Sequence, residues 1–243
     1  MLKLLRILIV IICCILICVI GSIYSLIRFK NPNNVALFAH WFARLHPLFG
    51  LQVEYRYPEG AEKFARCIYI GNHQNNYDMV TISHMVMPRT VSVGKKSLIW
   101  VPFFGLLYWA TGNIFIDREN RSKAHNTMTT LAKRIHQDNL SIWMFPEGTR
   151  SRGRGLLPFK TGAFYAAIEA GVPVVPVVCS TTHNKINLNR WHNGKVICEM
   201  LPPISSGDYN RETVRDFAQY CHDLMEQHIA KLDAEIAETH QRI

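Results

Sequence analysis

His73 and Asp78 are the residues in this 243-residue chain whose types and spacing suit proton transfer. They lie in Asn72-His73-Gln74-Asn75-Asn76-Tyr77-Asp78, an imidazole followed five positions later by a carboxylate. An imidazole held in one tautomer by a carboxylate is a general base, able to take a proton from a hydroxyl or from water. The spacing alone carries little weight, since eleven histidines and seven aspartates would produce it about 0.3 times by chance. The chain supplies its own control in His228 and Asp233, which are equally spaced.

Local structure separates the two cases. In an α-helix, residues five apart diverge by about 140°. His228 and Asp233 fall in a segment starting near Asn210, where Val214, Phe217, Cys221, Leu224, Met225 and Leu232 form an amphipathic stripe, so their side chains point apart. His73 instead follows the apolar run Cys67-Ile68-Tyr69-Ile70, and the Asn and Gln residues after it favour a turn. The sequence predicts a strand ending before His73 and a turn that folds the carboxylate back onto the ring. Asp78 is expected to cap a helix running to Val86.

The elements around this turn alternate. Strand-like runs occupy Cys67–Gly71, Thr90–Gly94, Asn113–Ile116, Ser141–Phe145, Val174–Cys179 and Val196–Met200. Between Asn120 and Gln137, Met128, Leu131, Ala132 and Ile135 mark one helical face; Lys160 to Ala170 is a second helix, ended by Gly171 and Pro173. Strands alternating with helices predict an α/β fold, a mostly parallel mixed sheet flanked by helices on both faces. Pro176 cannot donate to a sheet ladder, so Val172-Pro173-Val174-Val175-Pro176-Val177 is expected to shape a strand and an apolar wall.

Ligands of an open parallel sheet bind outside the carboxyl ends of its strands. Here those exits carry His73 and Asp78, then Lys95 and Lys96, then Asp117 and Arg118, then Pro146-Glu147-Gly148-Thr149-Arg150. Four successive exits with a base, acids and cations make a site. Arg118, Arg150, Lys95 and Lys160 are suited to gripping a phosphate, the arginines with bidentate geometry, and Glu147 to binding a hydroxyl. No G-x-S-x-G elbow exists and no cysteine stands at an exit near His73, so no protein nucleophile is evident.

Composition limits the partners. A net charge of +9 calls for an anionic one, and Ile7 to Ile27, uncharged throughout, is about a bilayer's hydrocarbon thickness as a helix. An anionic phospholipid membrane is therefore the expected partner rather than nucleic acid; Ser151-Arg152-Gly153-Arg154-Gly155 is too short to argue otherwise and reads as a loop beside the site. The apolar stretch reads as a membrane anchor rather than a cleaved signal. Phe38, Trp41, Phe42 and Leu45 add a second helix face, to lie in the membrane interface or to pack on the domain. Residues 1–50 are thus expected to be a membrane-associated two-helix module, and 51–243 the α/β domain. Seven cysteines without a C-x-x-C pair predict reduced, buried thiols of a cytoplasmic domain and no metal site. Pro102 to Trp109 fits an acyl-chain groove, a core segment or a membrane contact equally well.

Four stretches in order, Asn72-His73-x-x-x-x-Asp78, Gly112-Asn113-Ile114-Phe115-Ile116-Asp117-Arg118, Phe145-Pro146-Glu147-Gly148-Thr149-Arg150-Ser151 and Val172-Pro173-Val174-Val175-Pro176, resemble the blocks of the bacterial glycerolipid acyltransferases. The resemblance covers residues 65 to 180 and extends to Gly94-Lys95-Lys96-Ser97 and Leu157-Pro158-Phe159-Lys160-Thr161-Gly162. It implies acyl transfer from an acyl-carrier-protein or coenzyme A thioester, a co-substrate rather than a bound cofactor, to the 2-hydroxyl of lysophosphatidic acid, giving phosphatidic acid. By that resemblance His73 is the base, Asp78 its partner, and Arg118, Glu147 and Arg150 bind the glycerol phosphate. The two-helix N-terminus of such enzymes can sit in one leaflet, with the catalytic domain on the cytoplasmic face of the inner membrane. A backbone N–H near Gly148 or Thr149 is the expected oxyanion donor. The rivals are a lipid or thioester hydrolase using the same pair on water, and a non-enzymatic basic membrane-surface module. The second gives no reason for a base, an acid and cations on successive exits.

Overall fold

The structure, a computed structural model, describes residues 1–117 and 121–241. Among these residues seven strands form one sheet: β1 (Gln52–Arg56), β2 (Ile68–Gly71), β3 (Thr90–Lys95), β4 (Ile114–Ile116), β5 (Ser141–Met144), β6 (Val174–Cys179) and β7 (Lys195–Met200). Their order is β1-β7-β6-β2-β5-β3-β4, and all neighbours are parallel except β6 with β7. The α/β fold with a mostly parallel mixed sheet is the one expected. Central β2 is covered on both faces, which is why Ile68, Tyr69 and Ile70 form an unbroken apolar run, all fully buried.

Right-handed crossovers distribute the helices. The chain moves one way from β2 past β5 to β3, and back from β4 through β5 to β6, so the two sets of connections cover opposite faces. On one face α4 (Arg121–Gln137), α5 (Gly162–Ala170) and α6 (Val214–Gln241) pack together. α4 turns Met128, Leu131, Ala132 and Ile135 inward, and α6 buries Phe217, Cys221, Met225 and Leu232. The other face takes α2 (Asn33–Ala43) and the 3-10 turn Ile82–Met85. Pro176 sits in β6 where its missing N–H would face the end of β7, just beyond the antiparallel ladder that begins at Val177, so no sheet bond is lost.

Two local expectations are corrected. β1 was not expected; it is an edge strand whose alternate residues Glu54 and Arg56 carry charge, and Arg56 holds Glu235 of α6 through two hydrogen bonds of 2.8 and 2.5 Å. The segment after Asp78 is not one α-helix but two 3-10 turns, Asn76–Met79 and Ile82–Met85. Val80, Thr81 and Ile82 are β-branched in succession, and the hydroxyls of Thr81 and Ser83 donate to the carbonyls of Tyr77 and Met79 (3.0 and 2.6 Å). Those carbonyls would otherwise accept the helical N–H groups, so the helix breaks.

The N-terminus packs as a hairpin of helices against this second face. α1 (Leu2–Ile27) is, among the described residues, the one helix long and apolar enough to cross a membrane. One side of it is small: a Cβ at Gly21 would lie 2.8 Å from Leu107 and 3.0 Å from Phe38. The other side exposes Leu8, Ile11, Ile12, Ile15 and Leu16. Phe38 and Phe42 of α2 join Ile17, Cys18 and Leu107 in a satellite core, while Val35 and Ala36 belong to the main core. α2 therefore packs on the domain and contributes to both cores. Leu107 belongs to α3 (Phe104–Ala110), so the 102–109 stretch contributes core through Leu107 and Tyr108 and leaves Phe103, Leu106 and Trp109 exposed.

The seam between α2 and the domain contains a histidine stack. The His40 ring lies 4.6 Å from that of His84, which stacks in turn on Tyr55 at 4.1 Å, and His40 Nε2 bonds the Val86 carbonyl at 3.0 Å. Burial lowers the pKa of both histidines, with Arg44 lowering each further and His40 and His46 also acting on His84. A histidine whose folded pKa is depressed contributes stability above its unfolded value, about 6.5, and loses it as pH falls through the folded value. Melting temperature is thus expected to drop between about pH 7 and pH 5 more steeply in the wild type than in His84→Gln. Parallel declines in the two proteins would exclude the stack as the source.

Candidate active site

β2 ends at Gly71, and the next four residues are fixed in space almost entirely by side chains. His73 Nδ1 lies 2.6 Å from Asp78 Oδ2, and the same oxygen accepts the backbone N–H groups of Gln74 (2.8 Å) and Asn75 (3.2 Å). That oxygen already acts as acceptor for two N–H bonds, so the ring nitrogen facing it is the donor and carries the proton. Nε2 is then the basic nitrogen, and among the described residues it has no protein partner. The ring is seated by Phe145 at the end of β5, 4.2 Å away and nearly parallel to it. Asp78 is not itself the cap of the turn. Asn75 is, accepting the Tyr77 N–H at 2.8 Å, and Asp78 completes a capping box from the third position.

A second buried carboxylate holds the backbone. Glu147, 3% exposed, accepts the His73 N–H through Oε1 (2.6 Å) and the Leu157 N–H through Oε2 (3.0 Å). Burial raises its pKa; the two N–H groups and the His73 side chain lower it, and Asp78 raises it. Glu147 was expected to bind a substrate hydroxyl; in the structure each of its oxygens accepts an N–H of the protein, one of them that of His73. Ser151 N–H donates to the His73 carbonyl (2.8 Å) and Arg152 N–H to that of Gln74 (3.0 Å), lacing the loop after β5 to the loop after β2.

Asn72 and Gln74 complete the frame, and sequence reasoning passed over both as site residues. In extended chain they project opposite to His73. Asn72 exchanges two hydrogen bonds with the Cys179 backbone (2.9 and 2.8 Å), prolonging the β2–β6 ladder with a side chain. Gln74 donates to the carbonyls of Cys179 (3.1 Å) and Ser180 (2.9 Å) and accepts the Thr182 N–H (2.8 Å). Two amides flanking a histidine at alternate positions were the available signal.

The cations gather less tightly. Lys160 lies against Gly148, where a Cβ would be 2.9 Å from its Cε and Nζ, and the φ of +70° there is what favours glycine. Thr149 and Arg150 are exposed on the same turn, and Lys95 is exposed at the end of β3 on the same sheet edge. Gly148 N–H closes the turn onto the Phe145 carbonyl (3.0 Å), leaving Thr149 as the oxyanion candidate of the two named. Arg118 lies outside the described residues. The control pair diverges as expected: His228 meets Glu199 at 3.4 Å, whereas Asp233 binds Thr181 and Lys185. All seven cysteines are free, and five are buried.

Comparison with known proteins agrees with this arrangement. The family model described as Acyltransferase matches residues 52–180. The chain is 75% identical to the 1-acyl-sn-glycerol-3-phosphate acyltransferase of Haemophilus influenzae over 98% of its own length and 99% of the relative's. It is 62% identical to the enzyme of the same name from Escherichia coli, covering 98% and 97%. The crystal structure of the 1-acyl-sn-glycerophosphate (LPA) acyltransferase from Thermotoga maritima shares the fold, with a TM-score of 0.74 at 22% identity over 96% of this chain and 98% of that one. With the matched segment running from β1 through β6 and taking in every strand exit described above, the chain belongs to the acyltransferase family.

Proposed function

We propose that this enzyme acylates the free 2-hydroxyl of 1-acyl-glycerol 3-phosphate, forming phosphatidic acid for phospholipid synthesis, with an acyl-carrier-protein or coenzyme A thioester as donor. The acceptor is carried by the relatives, 75% and 62% identical over nearly full length. The observation that carries the chemistry is the His73–Asp78 bond of 2.6 Å, which leaves a basic Nε2 at the edge where strand exits bring cations. His73 Nε2 takes the hydroxyl proton as the oxygen attacks the thioester carbonyl. The new C–O bond forms, the C–S bond breaks, and the proton passes from the imidazolium to the departing thiolate. Asp78 stabilises the imidazolium between those steps. No acyl-enzyme is required.

In this reading Arg150, Arg118, Lys160 and Lys95 bind the phosphate, with the Thr149 N–H facing the oxyanion. Glu147 acts through the backbone of His73. α1 lies along one leaflet: its first turns are tied to residues 188–191 and Lys30, just past its end, donates to the Ala110 carbonyl at 3.0 Å, so both ends rest on the same domain. A helix crossing the bilayer would drag that domain in with it. The catalytic domain then faces the cytoplasm at the inner membrane, in keeping with its reduced cysteines.

His73→Ala is expected to lower thiol release from acyl thioester plus lysophosphatidic acid by about 10²–10⁴-fold. Full turnover in that variant would remove His73 as the base, and thiol release by the wild type without any acceptor would favour hydrolysis. Arg150→Ala should raise the acceptor KM at little cost to kcat, the loss of a charge-assisted contact amounting to about 1.5–3 kcal/mol. An unchanged KM would place Arg150 outside the phosphate site. Glu147→Gln leaves one of two buried N–H groups without its acceptor, a cost of about 1–3 kcal/mol. Its kcat should fall with the acceptor KM unmoved; a rise in KM alone would return Glu147 to substrate binding.

A further inference from the structure

The loop before β7 is built around an arginine that belongs to another element. Arg6, on the second turn of α1, is 7% exposed within an otherwise apolar helix. Its guanidinium donates to the carbonyls of Leu188 (3.1 Å), Arg190 and Trp191 (3.1 Å), and it lies 5.6 Å from the centre of the Trp191 ring. The Lys3 N–H adds a bond to Asn189 Oδ1 at 3.2 Å. From the other side, Asn193 bonds the carbonyls of Phe49 and Gly50 (2.7 Å each), and Gly50 packs so closely that a Cβ there would lie 2.3 Å from the Trp191 carbonyl. The loop is held from both sides, and its position is tied to α1.

What this loop presents is a tryptophan and uncompensated positive charge. Trp191 is 70% exposed and stands against Arg6 on the second turn of α1, the helix end that also exposes Leu4, Leu5 and Leu8. Residues 181–195 contain Lys185, Arg190 and Lys195 with His183 and His192, and no acid. Lys185 and Lys195 are paired with Asp233 and Glu54. Among the described residues the side chains of Arg190 and Lys3 meet no carboxylate, and both are exposed. At the far end of α1 the same chemistry recurs: Lys30 lies 5.0 Å from the Phe29 ring and 5.9 Å from that of Trp109, itself exposed. An amphipathic indole beside an unpaired guanidinium, at the rim of an apolar face, is what a headgroup layer of anionic lipid accommodates.

We infer that residues 188–192 form a second membrane-docking element for an anionic phospholipid bilayer, with the Trp191 ring entering the interface and Arg190 and Lys3 meeting lipid phosphates. This rests on the membrane reading of α1 given above and adds a headgroup-binding surface supplied by the catalytic domain. Arg6 couples the two, fixing the loop relative to the helix.

The test is sedimentation of the full chain with phosphatidylcholine vesicles, with and without about one third phosphatidylglycerol. The expected result is that Arg190→Gln/Trp191→Ser partitions about tenfold less onto the anionic vesicles than the wild type, less than that onto neutral ones, and keeps wild-type turnover and melting temperature in detergent micelles. Quenching of tryptophan fluorescence by brominated lipid should also diminish in Trp191→Phe, a variant that preserves the loop's packing. Wild-type partitioning of the double variant, or quenching undiminished in Trp191→Phe, would overturn the inference while leaving α1 as the membrane contact. A wild type that binds neither vesicle would overturn both.

Discussion

One carboxylate oxygen organises the site. Asp78 Oδ2 receives the His73 ring and the N–H groups of Gln74 and Asn75 at once, so ring orientation and backbone course are set by one atom. Charge-assisted bonds of this kind contribute about 1.5–3 kcal/mol each. They are needed because the chain leaves β2 without a helix to satisfy it: the turn after it is a single 3-10 turn, unable to hold four polar groups by ladder bonding alone. Glu147 does for the backbone of His73 what Asp78 does for its ring, from the opposite side of the loop.

Placing two buried carboxylates beside one imidazole has an electrostatic consequence. Burial and the neighbouring Asp78 both work against ionisation of Glu147, and only the N–H groups it accepts and the His73 ring oppose them. Such a frame favours a cation between the acids, which suits an imidazolium formed in passing. It disfavours an anionic ligand at the same spot. The exposed cations lie outside that frame, Arg150 on the turn beyond Glu147 and Lys160 with its side chain against Gly148. Acid frame inside and cations outside follow from the order Glu147-Gly148-Thr149-Arg150, with the positive φ of Gly148 turning the chain between them.

Much of this was legible in sequence because it depends on period and order. The strand exits, the stripes on α4 and α6 and the accidental nature of His228–Asp233 all follow from counting residues per turn. What escaped depends on what meets what. The charged alternation of β1 looks like loop until β7 and Glu235 supply partners. The break after Asp78 turns on hydroxyls of Thr81 and Ser83 taking helical acceptors, a competition that propensity does not decide. Glu147 stands in the right turn for a ligand, but its burial against the His73 N–H is a tertiary fact. Gln74 reads as a turn former and Asn72 carries no assigned role, because their partners lie more than a hundred residues away on β6 and the segment after it.

The N-terminal helices are more than an attachment. Phe49, at the end of the turn that follows α2, meets Tyr77 edge-on at 5.4 Å, and Tyr77 is the residue before Asp78. Ser83 Oγ, in the next turn, lies 3.1 Å from the Ala39 carbonyl of α2, a second acceptor beside that of Met79. Val35 and Ala36 fill the main core. The segment that carries the His73 partner is thus braced from the module side, as well as by Ile82, Met85 and Val86 in the main core. An enzyme whose acceptor is a membrane lipid needs its base fixed relative to the surface from which that lipid arrives. Here the same short helix, α2, touches both the small-residue side of α1 and the turns around Asp78, so the two are set by one piece of packing.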